Sequence, residues 1–165
     1  MLPKSPFYSV YGVDRNTFAH CKVVWGRVGN TVSAAVVGKA NSAVGRKVAL
    51  PFEAMMIPFA REQEAQFVCG CLNSVHAQMV VVGSIVLHPD THVMRRVRVP
   101  KFDGDDSVHN EIATLSKTCH ELTRARRTGE LGEAEKKLDA ACGKIWGISV
   151  RQTKMIKECL RQVQG

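Results

Sequence analysis

The chain has 165 residues, of which 45% are hydrophobic, so it can bury a core and is not disordered as a whole. Its net charge is +8. Lys and Arg outnumber Asp and Glu by 12 to 5 in residues 1–102, but only by 11 to 10 in residues 103–165. Such an excess is typical of a surface that binds a polyanion, although an inert basic surface would give the same composition.

The first part of the chain predicts strands. β-branched residues are concentrated at 22–25 and 31–37, and Gly29 with Asn30 between them predicts a tight turn. A further strand is predicted at 54–57, ending at Pro58. No apolar stretch approaches the roughly 18 residues of a membrane span, and nothing at the amino terminus resembles a signal peptide. We therefore expect a cytoplasmic protein with no membrane partner, whose six cysteines stay reduced.

Helical spacing begins at residues 61–73, which open with acidic side chains. Ser74 is a suitable cap for a second helix at 75–86, which is apolar nearly all round and is predicted to be buried. Residues 97–99 alternate with arginines and meet Pro100, which predicts a short strand.

The remainder predicts helices only. Asp106 is a good cap, and from there one apolar seam has heptad spacing, at Val108, Ile112, Leu115, Cys119 and Leu122. Thr128 and Gly129 predict a break, and a second seam follows at Leu131, Ala134, Leu138, Ala141 and Ile145. Two such seams predict an antiparallel helical hairpin, with a final helix at about 150–163. The predicted fold is α+β, with a small mixed α/β globular domain at 1–102 and a helical arm at 103–165.

The motifs of several enzyme classes are missing. The sequence has no Pro-Pro, no G-x-G-x-x-G cofactor loop and no phosphate-binding loop. Cys69, Cys71, His88 and His92 are zinc-type ligands, but C-x-C is closer than the usual spacing, and on a helix the two cysteines face about 200° apart. We therefore expect buried cysteines, no metal, and no enzyme activity in this chain alone. Catalytic sets that form only in space leave a small hydrolase as a less favoured alternative.

The basic residues are the candidate binding residues. Arg46 and Lys47 close a loop of small residues that can approach a phosphate backbone, and Arg96 and Arg98 would share one face of the predicted strand. Arginine suits phosphates and guanine edges through its bidentate fork, although each position can equally be an ordinary exposed one. The candidate DNA-binding residues are Lys22, Arg27, Lys39, Arg46, Lys47, Arg95, Arg96, Arg98 and Lys101.

Further evidence comes from four segments in order along the chain: residues 8–38 with TFA and KVVW, residues 57–74 with EAQFVC and LNS, residues 97–122 beginning VRVPKFD, and KIWG at 144–147. Together they resemble the carboxy-terminal target-recognition region of the adenine-specific DNA methyltransferases of type II and IIG restriction–modification systems. The segments at 49–55 and 84–96 depart from the family pattern, so no base-reading residue is assigned.

The resemblance implies a DNA-binding target-recognition module that lacks the catalytic domain. It implies double-stranded DNA and a methyltransferase catalytic domain or subunit as partners. S-adenosylmethionine would be the cofactor of the parent enzyme, with none in this chain. The alternative is a protein–protein assembly module that uses the helical hairpin, with an incidental basic surface.

Overall fold

The computed structural model describes residues 19–29, 31–38, 54–84 and 91–164, together with Asn16. The protein is α+β, as predicted. Its strands are β1 (Cys21–Gly26), β2 (Ala35–Gly38) and β3 (Ala54–Phe59). Its helices are α1 (Glu62–Asn73), α2 (Val75–Val82), α3 (Thr91–Met94), α4 (Ser107–Arg124), α5 (Thr128–Ile145) and α6 (Val150–Gln164).

The three strands form one antiparallel sheet with the order β2-β1-β3. Val23 of β1 lies opposite Val36 of β2 on one side and opposite Ile57 of β3 on the other. The prediction that Pro58 ends the third strand is wrong, because β3 continues to Phe59. β3 is an edge strand among the described residues, and an edge strand tolerates a proline because one of its sides needs no ladder hydrogen bond.

Helix α1 lies at the centre of the fold, between two clusters of buried side chains. Cys69 belongs to the cluster on the side of the sheet, and Cys71 belongs to the cluster shared with α4 and α5. The predicted opposite orientation of these two cysteines is therefore confirmed. The sheet and the helical hairpin are both packed on one helix, which fixes their relative position.

Helix α2 begins as predicted, because the Ser74 hydroxyl accepts a hydrogen bond from the backbone N–H of Ala77. The prediction that this helix is buried all round is wrong. Met79 and Val80 are 38% and 39% exposed, whereas Val81 is fully buried. α2 therefore buries one side only.

The predicted helical hairpin is confirmed. Asp106 caps α4 by accepting hydrogen bonds from the N–H groups of Val108 and His109, and both heptad seams contribute to one core, with Ile112 and Leu138 at its centre. Together with α6 these two helices make up the predicted carboxy-terminal part.

The turn inside this hairpin was predicted incorrectly. Thr128 and Gly129 do not break a helix, because they are the first residues of α5. The chain turns instead at Arg126, which has a φ of 56°. The N–H of Arg127 donates to the carbonyl of Leu122 (3.0 Å) and that of Arg126 to Thr123 (3.1 Å). These bonds form a Schellman motif with arginine at the position that glycine usually occupies.

Arg126→Gly is expected to raise the free energy of unfolding by about 0.5–1 kcal/mol, because glycine adopts a positive φ without steric cost. Gly147 ends α5 with the same kind of motif at a φ of 65°. Gly147→Ala is therefore the matched variant, and it should lower stability by about 1 kcal/mol. Urea unfolding measures both, and changes of the same sign in the two variants would contradict the assigned turns.

The division into residues 1–102 and 103–165 stays a prediction. Phe102 packs in the same cluster as Phe67 of α1 and Ile112 of α4, so the helices after it share a core with the residues before it. Within the described residues no single helix is long and apolar enough to span a membrane, although α1 and α2, bent by 58°, together have the length and composition of a broken span.

Candidate nucleic-acid interface

Residues 95–101, hereafter the basic segment, lead from α3 towards α4. They contain Arg95, Arg96, Arg98 and Lys101. The prediction of a strand at 97–99 is wrong. The N–H groups of Arg96 and Val97 bond back to Val93 (3.0 Å) and Met94 (3.1 Å), which forms turns after α3. Strand alternation therefore does not place Arg96 and Arg98 on a common face.

Apolar side chains hold the backbone of the basic segment in place. Val97 is buried in the sheet-side cluster, and Val99 contacts both clusters. Phe102 is buried in the hairpin-side cluster immediately after the segment. The Trp146 indole N–H donates a hydrogen bond to the carbonyl of Arg98 at 3.0 Å. The charged side chains are thus attached to a well-anchored backbone.

The four cationic side chains of the basic segment are exposed, and within the described residues none of them forms an ion pair. Many other exposed cations do so: Arg61 with Glu64, Lys117 with Glu62, Arg127 with Glu130, Lys136 with Glu133, Lys144 with Glu111, and Arg161 with Glu158. A cation without a nearby carboxylate keeps its full attraction for an external anion. The basic segment is therefore a suitable surface for a polyanion.

A groove of about 540 Å³ lies beside the basic segment, where α4 begins and α5 ends. Arg98, His109, Lys144 and Asp106 are its polar lining residues, and Pro100 and Ile145 are among its apolar ones. The groove thus combines two cations, an imidazole and a carboxylate with apolar surface.

The other predicted residues are placed differently. Arg27 is exposed, directly after β1. Lys22 lies within β1 and is only 1% exposed, so its ammonium group is not on the surface where a DNA contact was predicted. Strand alternation directs Lys22 away from Val23, but the other face of β1 is covered as well. Lys39, Arg46 and Lys47 lie outside the described residues.

A second groove, of about 920 Å³, lies between residues 32–36, α1 and the hairpin. Side chains from the helices hold the backbone here. Asn73 accepts from the N–H of Ala34 and donates to its carbonyl, both at 2.8 Å, and Gln78 makes the same pair of bonds with Val32 at 3.1 and 2.6 Å. Two amides thus replace the bonds of a neighbouring strand. This arrangement was not predicted, since the partners are far apart in the chain.

Cys69, His120 and Asn73 meet at this place, but they do not form a nucleophilic site. The Cys69 thiol lies 3.9 Å from His120 Nε2 and donates to the carbonyl of Ala34. Burial raises the pKa of this thiol to about 12. Both nitrogens of His120 bond to backbone groups, of Val36 and Ser116. His120 therefore cannot act as a base for the thiol, and the cluster is structural.

Among the residues that the structure describes, no group of three or more His, Cys, Asp or Glu side chains is arranged to hold a metal ion. His88 lies outside the described residues, and so does the side chain of His92. Neither the models of known protein families nor the curated protein sequences give a match to this chain.

Proposed function

We propose that this chain binds double-stranded DNA through the basic segment. The observation that carries the proposal is the presence of four exposed cations on one anchored stretch of backbone without an ion pair among the described residues. Phosphate contacts supply most of the affinity in such complexes, and arginine can bond a phosphate with two N–H groups at once. Asp103 and Asp105, both exposed, mark the end of this cationic surface.

We further propose that the chain is the target-recognition part of an adenine-specific DNA methyltransferase of a cytoplasmic restriction–modification system. The resemblance of the four sequence segments supports this proposal. The catalytic domain or subunit would then bind S-adenosylmethionine and transfer its methyl group to adenine, and this chain would help to choose the DNA site. The basic segment would supply affinity and orientation, while base contacts would supply sequence preference.

The alternative function, protein–protein assembly through the heptad seams, has less support. Ile112 of the first seam is fully buried, and Leu138 of the second is 4% exposed. Both pack in one cluster with Phe67 and Cys71 of α1. The centres of both seams are therefore already packed against α1 within the chain.

The proposal is tested by removing two charges at a time. Arg96→Ala with Arg98→Ala is expected to weaken binding to a short duplex by roughly tenfold to a hundredfold at low salt, because each charge-assisted bond is worth about 1.5–3 kcal/mol and part of it is regained by neighbouring cations. Fluorescence anisotropy with a labelled duplex measures the affinity.

The matched control is Arg124→Ala with Lys137→Ala. These two residues are also exposed and have no ion pair among the described residues, but they lie on the hairpin helices. This control removes the same charge and should change the affinity less than about threefold, since only the long-range field of the protein is altered. Equal losses in both double variants would show that net charge alone governs binding, which would contradict an interface at the basic segment.

A further inference from the structure

We propose that the groove of about 540 Å³ beside the basic segment is a site for one phosphodiester group, bonded by His109, Arg98 and Lys144. The inference rests on the proposed function, because the phosphodiester would be that of the bound duplex. It adds a specific binding site for one phosphate of the DNA backbone. A free phosphate ion has the same chemistry and serves as a probe.

His109 supplies a fixed hydrogen-bond donor. The residue is 9% exposed, and its ring lies 4.4 Å from the ring of Phe67 and 6.1 Å from that of Phe102. Its Nδ1 accepts the backbone N–H of Asp103 at 3.0 Å, so the proton is on Nε2. The ring orientation and the tautomer are therefore both fixed by the fold.

The Nε2–H of His109 has no hydrogen-bond partner among the described residues, and His109 lines the groove. Among the described residues, Nδ1 of His76 is the one side-chain nitrogen or oxygen that is both fully enclosed and without a hydrogen bond. Nε2 of His109 also has no hydrogen bond among these residues, so it is not fully enclosed and contacts solvent. A buried imidazole thus presents an unused donor to the groove, which is the chemistry that an anion oxygen requires.

Two cations line the groove, and one of them is already paired with a carboxylate. Arg98 is exposed without an ion pair among the described residues, and Lys144 bonds to Glu111 at 2.9 Å with its remaining N–H groups available. Asp106 also lines the groove, and its Oδ1 accepts hydrogen bonds from the N–H groups of Val108 and His109. The carboxylates of Asp106 and Glu111 balance the two cations. The phosphodiester is therefore bonded chiefly by Arg98, unpaired within the described part of the chain, and by the Nε2–H of His109, and Lys144 contributes its remaining N–H groups.

The test uses the full chain with ¹⁵N-labelled histidine, with the His109 resonances assigned by their loss in His109→Asn. Addition of a short duplex, or of millimolar inorganic phosphate, is expected to shift the Nε2 resonance of His109 and to leave that of the structurally bonded His120 in place. In parallel, Lys144→Ala should weaken duplex binding about three- to tenfold and make the slope of log affinity against log salt shallower by about 0.9.

Lys136→Ala is the matched control, because Lys136 is an exposed lysine of the same helix with its own glutamate partner at 2.6 Å. It should leave the affinity and the slope unchanged. Duplex binding could depend on Arg96 and Arg98 without shifting the Nε2 resonance of His109 and with equal affinities for Lys144→Ala and Lys136→Ala. That result would overturn the phosphate site and leave the proposed function standing. A shift with phosphate but no duplex binding would support the site and contradict the proposed function.

Discussion

Phe67→Ala is expected to lower the free energy of unfolding by roughly 3–5 kcal/mol, the largest single-residue effect that we predict. Phe67 of α1 is fully buried, and the centroid of its ring lies 5.4 Å from the ring centroid of Phe102 and 4.4 Å from that of His109. Alanine leaves a cavity at the point where α1, α4 and the end of the basic segment meet. Urea unfolding followed by circular dichroism measures the loss.

The matched variant is Phe67→Leu, which retains most of the buried volume and loses the ring contacts. It should cost about 1–2 kcal/mol. A cost below about 1.5 kcal/mol for Phe67→Ala would contradict the packing of this cluster. Since Phe67 also supports the His109 ring, the alanine variant should in addition broaden the His109 resonances.

Asn73→Ala is expected to lower the free energy of unfolding by roughly 2–4 kcal/mol, because two backbone groups of Ala34 lose their partners in a partly buried place. Asn73 holds both groups at 2.8 Å. Ala34 itself is 6% exposed, so water does not readily replace the amide. Denaturant unfolding monitored by tryptophan fluorescence gives the value, since the buried Trp25 belongs to the same cluster as Ala34.

Asn110→Ala provides the control for this prediction. Asn110 also makes two side-chain hydrogen bonds, to Gly104 and to Gln63, but both are exposed to water. Its loss should cost less than about 1 kcal/mol, because water satisfies the groups that remain. Equal costs at the two asparagines would mean that the Ala34 contact does not stabilise the fold as described.

Most of the helical fold could be predicted from the sequence, because helices depend on local signals. The caps at Ser74 and Asp106 mark helix starts, and the seams around Ile112 and Leu138 have a spacing that a strand cannot use. The turn at Arg126 could not be predicted in this way. Its φ is positive, and arginine is not a usual residue for that conformation, so no residue preference marks the turn.

The residues around Val97 show why alternation misleads at the basic segment. Val97 and Val99 face the core and Arg98 faces solvent, as they would in a strand, but the backbone is an irregular stretch that is held by buried anchors on both sides. Exposure of the cations at 95–101 was therefore correctly expected, while their shared strand face was not. The burial of Lys22 could not be predicted for a related reason. Alternation of apolar residues along a strand identifies one buried face of the sheet, but it does not show whether the opposite face is also covered.

The amide contacts of Asn73 and Gln78 left no local signal at all. Their partners, Ala34 and Val32, are 39 and 46 positions away in the chain. Asn73 is the last residue of α1 and Gln78 lies within α2, and only the folded arrangement shows what their side chains bond to. Sites that are built from such distant pairs require the three-dimensional structure.

The salt dependence of duplex binding by the unaltered chain tests the central proposal most directly. If the basic segment and the groove bind the phosphate backbone through about four to five cations, log affinity should fall with log salt with a slope of about −4, which is a loss of more than a hundredfold between about 50 and about 200 mM salt. Absence of binding to any duplex at the lower salt concentration, or an affinity that does not change with salt, would contradict it.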